Sequence, residues 1–458
     1  MAETYAARIE TAEAGAAGTD RGRWRAILLA SFGGALEFYD FIVYGAFAAY
    51  VSRAFFPATD PLVSLIATFA VFAVGYLARP LGGLVFGLAG DRRGRRGSFL
   101  VSLAVMSAAT AGMGLVPGHA EWGIAATILF VALRLVQGFC LGGELAGAVT
   151  YAAEAAPPGR LGLACGIVFG CVSLGVLLAT GTSAALHAAI GPEEMQAWGW
   201  RLPFLLGGAL GLLGWVLRRR LEETPAFLAM RAAGGRRAGA PLRPVRELLR
   251  EHGGRVLLAI AVTAVVATFN GLLFAHTPGY LVRVLGLPPG TAALSVNLCV
   301  AALTVSLVAW TWVGDRLVPR RWLHRAGCAA IALGAVPAYA ALASGQASPA
   351  LVFALAGLAA GLVNGNFAAI LADLFPTRVR FSGVAMAMNL GAVVFSGFAP
   401  LVATWLIQAT GRMDAPGLLL AAVAAGSLLA SLPLRQLEGQ LDQAGPAPVL
   451  GATEKAVP

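Results

Sequence analysis

Apolar runs of about 20 residues recur along the chain, separated by short polar corners. They fall at 26–50, 63–89, 98–117, 122–151, 161–187 and 202–217, then at 256–281, 291–313, 323–343, 349–374, 381–408 and 416–433. At 1.5 Å rise per residue such a run crosses roughly 30 Å of hydrocarbon. The pattern therefore predicts an all-α polytopic membrane protein with twelve transmembrane helices. One longer interruption divides them into six and six: 218–255 holds ten arginines, four glutamates and little apolar periodicity. The predicted organisation is a polar tail 1–25, a six-helix bundle 26–217, a connector 218–255, a second six-helix bundle 256–433 and a tail 434–458.

Composition agrees, with 58% hydrophobic and 12% charged residues and a mean hydropathy of +0.76 over 458 residues. Soluble domains are about one-quarter charged. The net charge of +10 would suggest nucleic acid in a soluble protein, so where the cations lie decides what they mean. With the N-terminus inside, 27 of the 33 Lys and Arg fall on one side and four on the other (Arg53, Arg201, Arg283, Arg412), while Arg79 and Arg134 lie within apolar runs. By the positive-inside rule this predicts both termini in the cytoplasm of a plasma membrane, such as a bacterial inner membrane, and no nucleic-acid partner. Residues 1–25 carry no apolar core of signal-peptide type, so no cleavage is expected. The five cysteines lie in apolar runs without Cys-x-x-Cys spacing and read as small core residues. The five histidines show no metal-ligand spacing, and only His276 is placed for a proton path. No metal or cofactor is expected.

The halves repeat each other weakly. Gly90-Asp91-Arg92 with Arg95-Arg96 follows the second span, and Gly314-Asp315-Arg316 with Arg320-Arg321 follows the eighth. Glu154-Ala155-Ala156-Pro157 follows the fourth, and Asp373-Leu374-Phe375-Pro376 the tenth. Two markers recurring at the same two corners predict pseudo-symmetric six-helix bundles around a central cavity.

The corner Gly87-x-x-x-Asp91-Arg92-x-Gly94-Arg95-Arg96 resembles the signature of the major facilitator superfamily. Four blocks resemble its metabolite:proton symporter branch of proline/betaine, ketoglutarate, shikimate and citrate carriers. They are Leu36 to Phe41 with Tyr44-Gly45, Arg79-Pro80-Leu81-Gly82-Gly83, Arg134 to Phe139 with Gly142-Gly143-Glu144, and Trp200 to Phe204 with Leu221-Glu222-Glu223-Thr224-Pro225. The resemblance spans 26–433 and implies a proton-coupled symporter, not an enzyme. The tail lacks the heptads of some osmolyte-sensing members, and 166–181 lacks the Gly-Pro element of drug:proton antiporters. Both absences point to uptake of a nutrient anion.

An ionisable group inside the bilayer costs several kcal/mol unless paired or hydrated, so it is a functional candidate. Asp40 lies 15 residues from Arg25, roughly 22 Å deep, and Arg134 lies roughly 24 Å from the same surface. Glu37 and Arg79 both lie roughly 18 Å deep. Glu37 and Asp40, three apart, share a helix face. Asp40, Glu37 and Arg134 are the candidate proton-coupling cluster. Because arginine keeps its proton, the titrating member is an acid; the alternative is a static ion pair bracing the helices.

Substrate-binding candidates are Arg79, Arg134, Tyr44, Gln137, Asn270, Asn364 and Asn389. Two arginines suit a carboxylate, which guanidinium binds bidentately. Arg79 is the favoured one, since Arg134 matches the arginine that faces an acid on the first helix of sugar-porter relatives; Arg79 locked to Glu37 is the equal alternative. Glu144 either lines an inner vestibule or binds a backbone nest at Gly138, Gly142 and Gly143. Gly87, Asp91, Arg92, Gly94, Arg95, Glu154 and Arg160, with the echo Asp315, Arg316, Asp373 and Arg380, resemble the inner gate of the superfamily.

The leading function is a proton-coupled secondary transporter importing a small mono-, di- or tricarboxylate by alternating access. Its partners would be an anionic small molecule, protons and the lipid bilayer, and it would work as a monomer. The alternatives are a proline/betaine osmolyte symporter and, from another class, a non-transporting membrane sensor or scaffold. The 218–255 connector is too short for a signalling domain core.

Overall fold

The computed structural model describes residues 20–57, 61–232 and 243–434. Most of the N-terminal tail, the middle of the connector and nearly all of the C-terminal tail lie outside the described residues. Among the described residues, ten helices are long and apolar enough to cross a membrane. Two more, Pro61–Arg93 and the shorter Ala415–Ala430, complete twelve. In the first half they are α1 (Asp20–Ala46), α2 (Pro61–Arg93), α3 (Arg95–Leu115), α4 (Ile124–Ala155), α5 (Leu161–Ala189) and α6 (Leu202–Arg218). The second half has α7 (Arg243–Gly271), α8 (Pro289–Arg316), α9 (Arg320–Ala343), α10 (Pro349–Leu374), α11 (Arg380–Gly391) and α12 (Ala415–Ala430).

Small residues determine which helices touch. In membranes, helix association rests on close packing rather than on hydrophobic burial, and glycine lets backbones meet. At the α2–α4 crossing a Cβ on Gly142 would stand 2.0 Å from the carbonyl oxygen of Arg79. At the equivalent α8–α10 crossing a Cβ on Gly357 would stand 2.3 Å from that of Cys299. The two halves meet through α2 against α11 and α5 against α8, pairs that exchange under the internal repeat. Both contacts reach the end of the bundle that carries Arg95, Arg320 and Arg380, here called the basic end.

Three helices depart from the uniform runs that hydropathy predicts. The first, α1, breaks at Phe47 and resumes as Ala48–Phe55. The second, α7, continues through two π-helical turns, Leu272–His276 and Tyr280–Val284, and α11 through one, Ala392–Gly397. Each π turn contains the carbonyl four residues before a proline, Phe274 before Pro278, Val284 before Pro288 and Ser396 before Pro400. A proline ring clashes with that carbonyl and offers it no N–H, and widening the turn relieves both.

Candidate functional site

Between the halves lies a cavity of about 390 Å³. Its wall is mostly apolar, with Phe38, Phe169, Phe274 and Phe367 among its rings and Arg79, Asn270, Asn389 and Ser396 among its polar groups. That volume and character suit a small organic molecule held by a few polar contacts. Phe38 and Phe274 approach edge-on across the two halves at 6.3 Å.

Arg79 on α2 is 9% exposed and donates through Nη2 to Glu37 Oε1 at 2.5 Å. Its guanidinium lies 5.2 Å from the centre of the Tyr76 ring. The structure thus realises the Glu37 lock while keeping Arg79 in the cavity wall. Glu37 Oε2, Arg79 Nε and Asn270 Oδ1 are buried without a hydrogen-bond partner. Asn270 donates through Nδ2 to Asn364 Oδ1 at 3.2 Å, and Asn364 donates in turn to the Ala360 carbonyl at 3.0 Å. That chain orients the Asn270 amide. Asn364 is therefore a support behind Asn270 and not one of the cavity-lining residues. Asn389 lines the cavity and donates to the Gly142 carbonyl at 2.7 Å, joining α11 to α4.

Asp40 stands beside this wall in a cage of its own. Oδ2 accepts from the Thr110 hydroxyl at 2.7 Å and from Gln137 Nε2 at 3.1 Å. Gln137 Oε1 accepts from Arg134 Nη1, and the Arg134 guanidinium lies 4.3 Å from the centre of the Tyr44 ring. Asp40 and Arg134 do meet, but through one amide. Gln137, Arg134 and Tyr44 belong to this cage and do not line the cavity.

Glu144 is neither in a vestibule nor in a glycine nest. Fully buried, it accepts from Ser102 Oγ at 2.9 Å and from Arg218 Nη1. Arg218 also donates to the carbonyls of Leu29, at 2.9 Å, and Ala30 on α1, and lies 3.8 Å from the centre of the Phe99 ring. A Cβ on Gly33 would collide with Glu144 Oε1 at 1.8 Å, so this node requires a glycine on α1. Arg218, which sequence places first in the connector, is the last residue of α6 and has no exposed surface. Its position in the cationic run Arg218-Arg219-Arg220 hid it, because three successive arginines read as an interfacial anchor.

At the basic end Asp91 accepts from Arg95 Nη1 at 2.7 Å, from the backbone N–H groups of Phe381 and Ser382 at 3.2 and 2.9 Å, and from Ser382 Oγ at 2.6 Å. It caps the N-terminus of α11, where the helix dipole favours an anion. Asp315 does the same for α5, accepting from the N–H groups of Gly162 and Leu163 at 2.7 and 2.8 Å. Each half thus caps a helix of the other. Glu154 accepts from Arg95 at 3.1 Å, from Arg380 at 3.0 Å and from Thr224 Oγ1 at 2.6 Å. Gly87 lets α2 approach Ser382, where a Cβ would stand 3.0 Å from its Cα. Gly94 has φ +116°, beside Glu223, which accepts from the backbone N–H of Arg95 at 2.8 Å. Arg92 is half-buried next to Asp91. Asp373 sits at the end of α10, next to Leu374, whose carbonyl accepts from Arg255 at 3.0 Å. Two candidates stand outside the interlock. Arg160 contributes its backbone N–H to the Pro157 carbonyl, and Arg316 is exposed over the Trp312 ring. Glu223, Thr224 and Ser382 were not predicted; Glu223 and Thr224 lie in a block of the sequence resemblance, but their partners Arg95 and Glu154 are 128 and 70 residues away in the chain.

The profile of the Major Facilitator Superfamily matches residues 30–396. The chain is 32% identical over 447 residues to the proline/betaine transporter of Salmonella typhimurium, covering 95% of this chain and 87% of that one. It is 34% identical over 411 residues to the citrate-proton symporter of Klebsiella pneumoniae, covering 89% and 90%. Among solved structures, the proton:xylose symporter XylE bound to 6-bromo-6-deoxy-D-glucose superimposes with a TM-score of 0.74 at 19% identity, covering 90% of this chain and 95% of that one, a likeness of fold.

Proposed function

The chain belongs to the major facilitator superfamily of membrane transporters, and from that premise we propose that it is a proton-coupled symporter importing a small carboxylate-bearing solute by alternating access. The observation that carries this reading is the separation of two acids on one face of α1. Glu37 is the direct counter-ion of Arg79 in the cavity wall. Asp40 accepts directly from the neutral donors Thr110 and Gln137, with the Arg134 charge reaching it across Gln137. Protonating Asp40 leaves the Arg134–Gln137 hydrogen bond in place, whereas protonating Glu37 takes the direct partner from the buried Arg79 guanidinium, a cost of about 3–5 kcal/mol. Asp40 is the titrating acid in this reading and Glu37 the resident anion of Arg79. A substrate carboxylate enters beside Arg79, and the Asn270 carbonyl oxygen accepts from a donor on the solute.

The neutral Glu37–Arg79 pair and the aromatic walls also favour the osmolyte alternative, since a zwitterion leaves the net charge of such a site unchanged and aromatic faces attract its cationic end. Both relatives named above transport solutes that carry a carboxylate. The basic end is the cytoplasmic face of a bacterial inner membrane in this proposal, with both termini on that side and a monomer as the working unit. Proteoliposomes given labelled carboxylates, proline and betaines, with and without an imposed pH gradient, test it. Uphill accumulation that collapses with a protonophore is expected for at least one compound. No uptake and no solute-dependent proton flux across the panel would defeat the proposal.

A further inference from the structure

A second cavity, of about 340 Å³, lies wholly inside the second half, between α7, α9, α10 and α12. Thr277 and Tyr339 are its only lining side chains with polar atoms; the rest are aliphatic or Phe. It offers no charge and no amide to a water-soluble solute. Ala330 and Gly334 on α9 and Leu355 on α10 line it and are exposed, so its mouth lies between α9 and α10 on the outer surface of the bundle. A Cβ on Gly334 would meet no atom within 4 Å, which leaves the mouth open. Gly334 lies 14 residues into α9, roughly 21 Å from its basic end, at the depth of the hydrocarbon. What faces an apolar opening at that depth is lipid.

We propose that this cavity binds one acyl chain of a bilayer phospholipid, entering between α9 and α10. An apolar pocket continuous with the hydrocarbon gains dispersion contacts from a chain that it would forfeit if left unfilled. The position matters because α7 is the shared wall. Phe269, Leu272 and Leu273 face the acyl-chain cavity, while Asn270, Gly271 and Phe274 face the central cavity. The π turn Leu272–His276 lies between the two, so the chain props the deformable turn that presents Asn270. This inference does not rest on the proposed substrate or on proton coupling.

The test is photolabelling in proteoliposomes of a phospholipid with a diazirine in its acyl chain, read residue by residue by mass spectrometry. Tyr339, Leu342 and Phe353 line the cavity yet are only 7%, 5% and 6% exposed, so lipid outside the bundle cannot reach them. Leu333, 79% exposed on α9, reports the surrounding bilayer. Label is expected on Tyr339, Leu342 and Phe353, and it is expected to be lost in Gly334→Phe, which plugs the mouth, with label at Leu333 unchanged. Ala338→Phe, lining the same cavity, serves the same purpose if Gly334→Phe does not fold. Label confined to Leu333 and other exposed positions, or label at the three buried residues that survives both plugs, would overturn the proposal.

Discussion

The two halves share a fold and divide its chemistry. At membrane depth the first half holds Glu37, Asp40, Arg79, Arg134, Glu144 and Arg218, knit into three buried clusters by α1, α2, α4 and α6. The second half offers the amides Asn270, Asn364, Asn366 and Asn389 and the neutral-capable His276. Backbone behaviour follows the same division. Among the described residues, π turns occur only in the second half, in α7 and α11, both lining the central cavity. Buried ion clusters hold helices in one register, because shifting them would strand charge. Buried charge thus gathers in the first half and widened helical turns in the second; under the proposed function, proton and carboxylate are managed by the first and the second is the wall that deforms around the solute.

The strongest way to break this division is at Asp40. Asp40→Asn removes the acid proposed to titrate but keeps an acceptor for Thr110 and Gln137, so the cage survives. Complete loss of uphill accumulation is expected, with solute counterflow retained, both measured in proteoliposomes. Accumulation that still follows the pH gradient would move coupling out of this cage. A second, nearly as large effect should appear at the Glu144–Arg218 node. Arg218→Met leaves Glu144 buried without its cation and should cost about 3–5 kcal/mol, lowering the melting temperature of the detergent-solubilised protein. The double variant with Glu144→Gln should recover most of that loss, because no charge is then stranded. A double variant as unstable as the single one would show that the node is not held by charge.

The legibility of these features differs by physical cause. Hydropathy exposed all the spans, since each must cover the same hydrocarbon thickness. Depth counting put Asp40 near Arg134 and Glu37 near Arg79, since rise per residue is constant. It could not show Gln137 between the first pair, nor place Asn364 behind Asn270, because those depend on rotation about each helix axis. The π turns were missed for a related reason. One widened turn scarcely alters an apolar run, and Pro278, Pro288 and Pro400 were their trace in the sequence. Arg218 was lost to its neighbours Arg219 and Arg220, whose solvation it does not share.

A smaller effect sharpens the role of the neutral half. If Asn270 accepts from the solute, Asn270→Ala should cost about 1.4 kcal/mol, roughly a tenfold rise in KM with little change in kcat. Asn366→Ala is the control, since Asn366 donates to the Leu362 carbonyl within its own helix and is absent from the cavity wall. Uptake kinetics across the responding solutes would separate the two. Equal effects would make Asn270 a packing residue.

The smallest expected effect lies where the halves meet. Asp91 caps α11 with both carboxylate oxygens and also pairs with Arg95, while Asp315 caps α5 in the mirrored arrangement. Asp91→Asn keeps hydrogen-bonding capacity and loses the charge that complements the helix dipole, a term of about 1 kcal/mol. Because Asp315, Glu154, Arg95 and Arg380 remain, the basic end should stay mostly closed, its open population rising roughly fivefold for that energy. Accessibility of a cysteine introduced at Ala385, whose side chain is buried above the interlock, reads that population from the basic side. Asp315→Asn should produce a shift of the same sign and similar size, since the two caps are equivalent across the repeat. A shift from one aspartate alone would mean that the gate is held by one half, and the symmetry of the caps would then be geometric without being energetic.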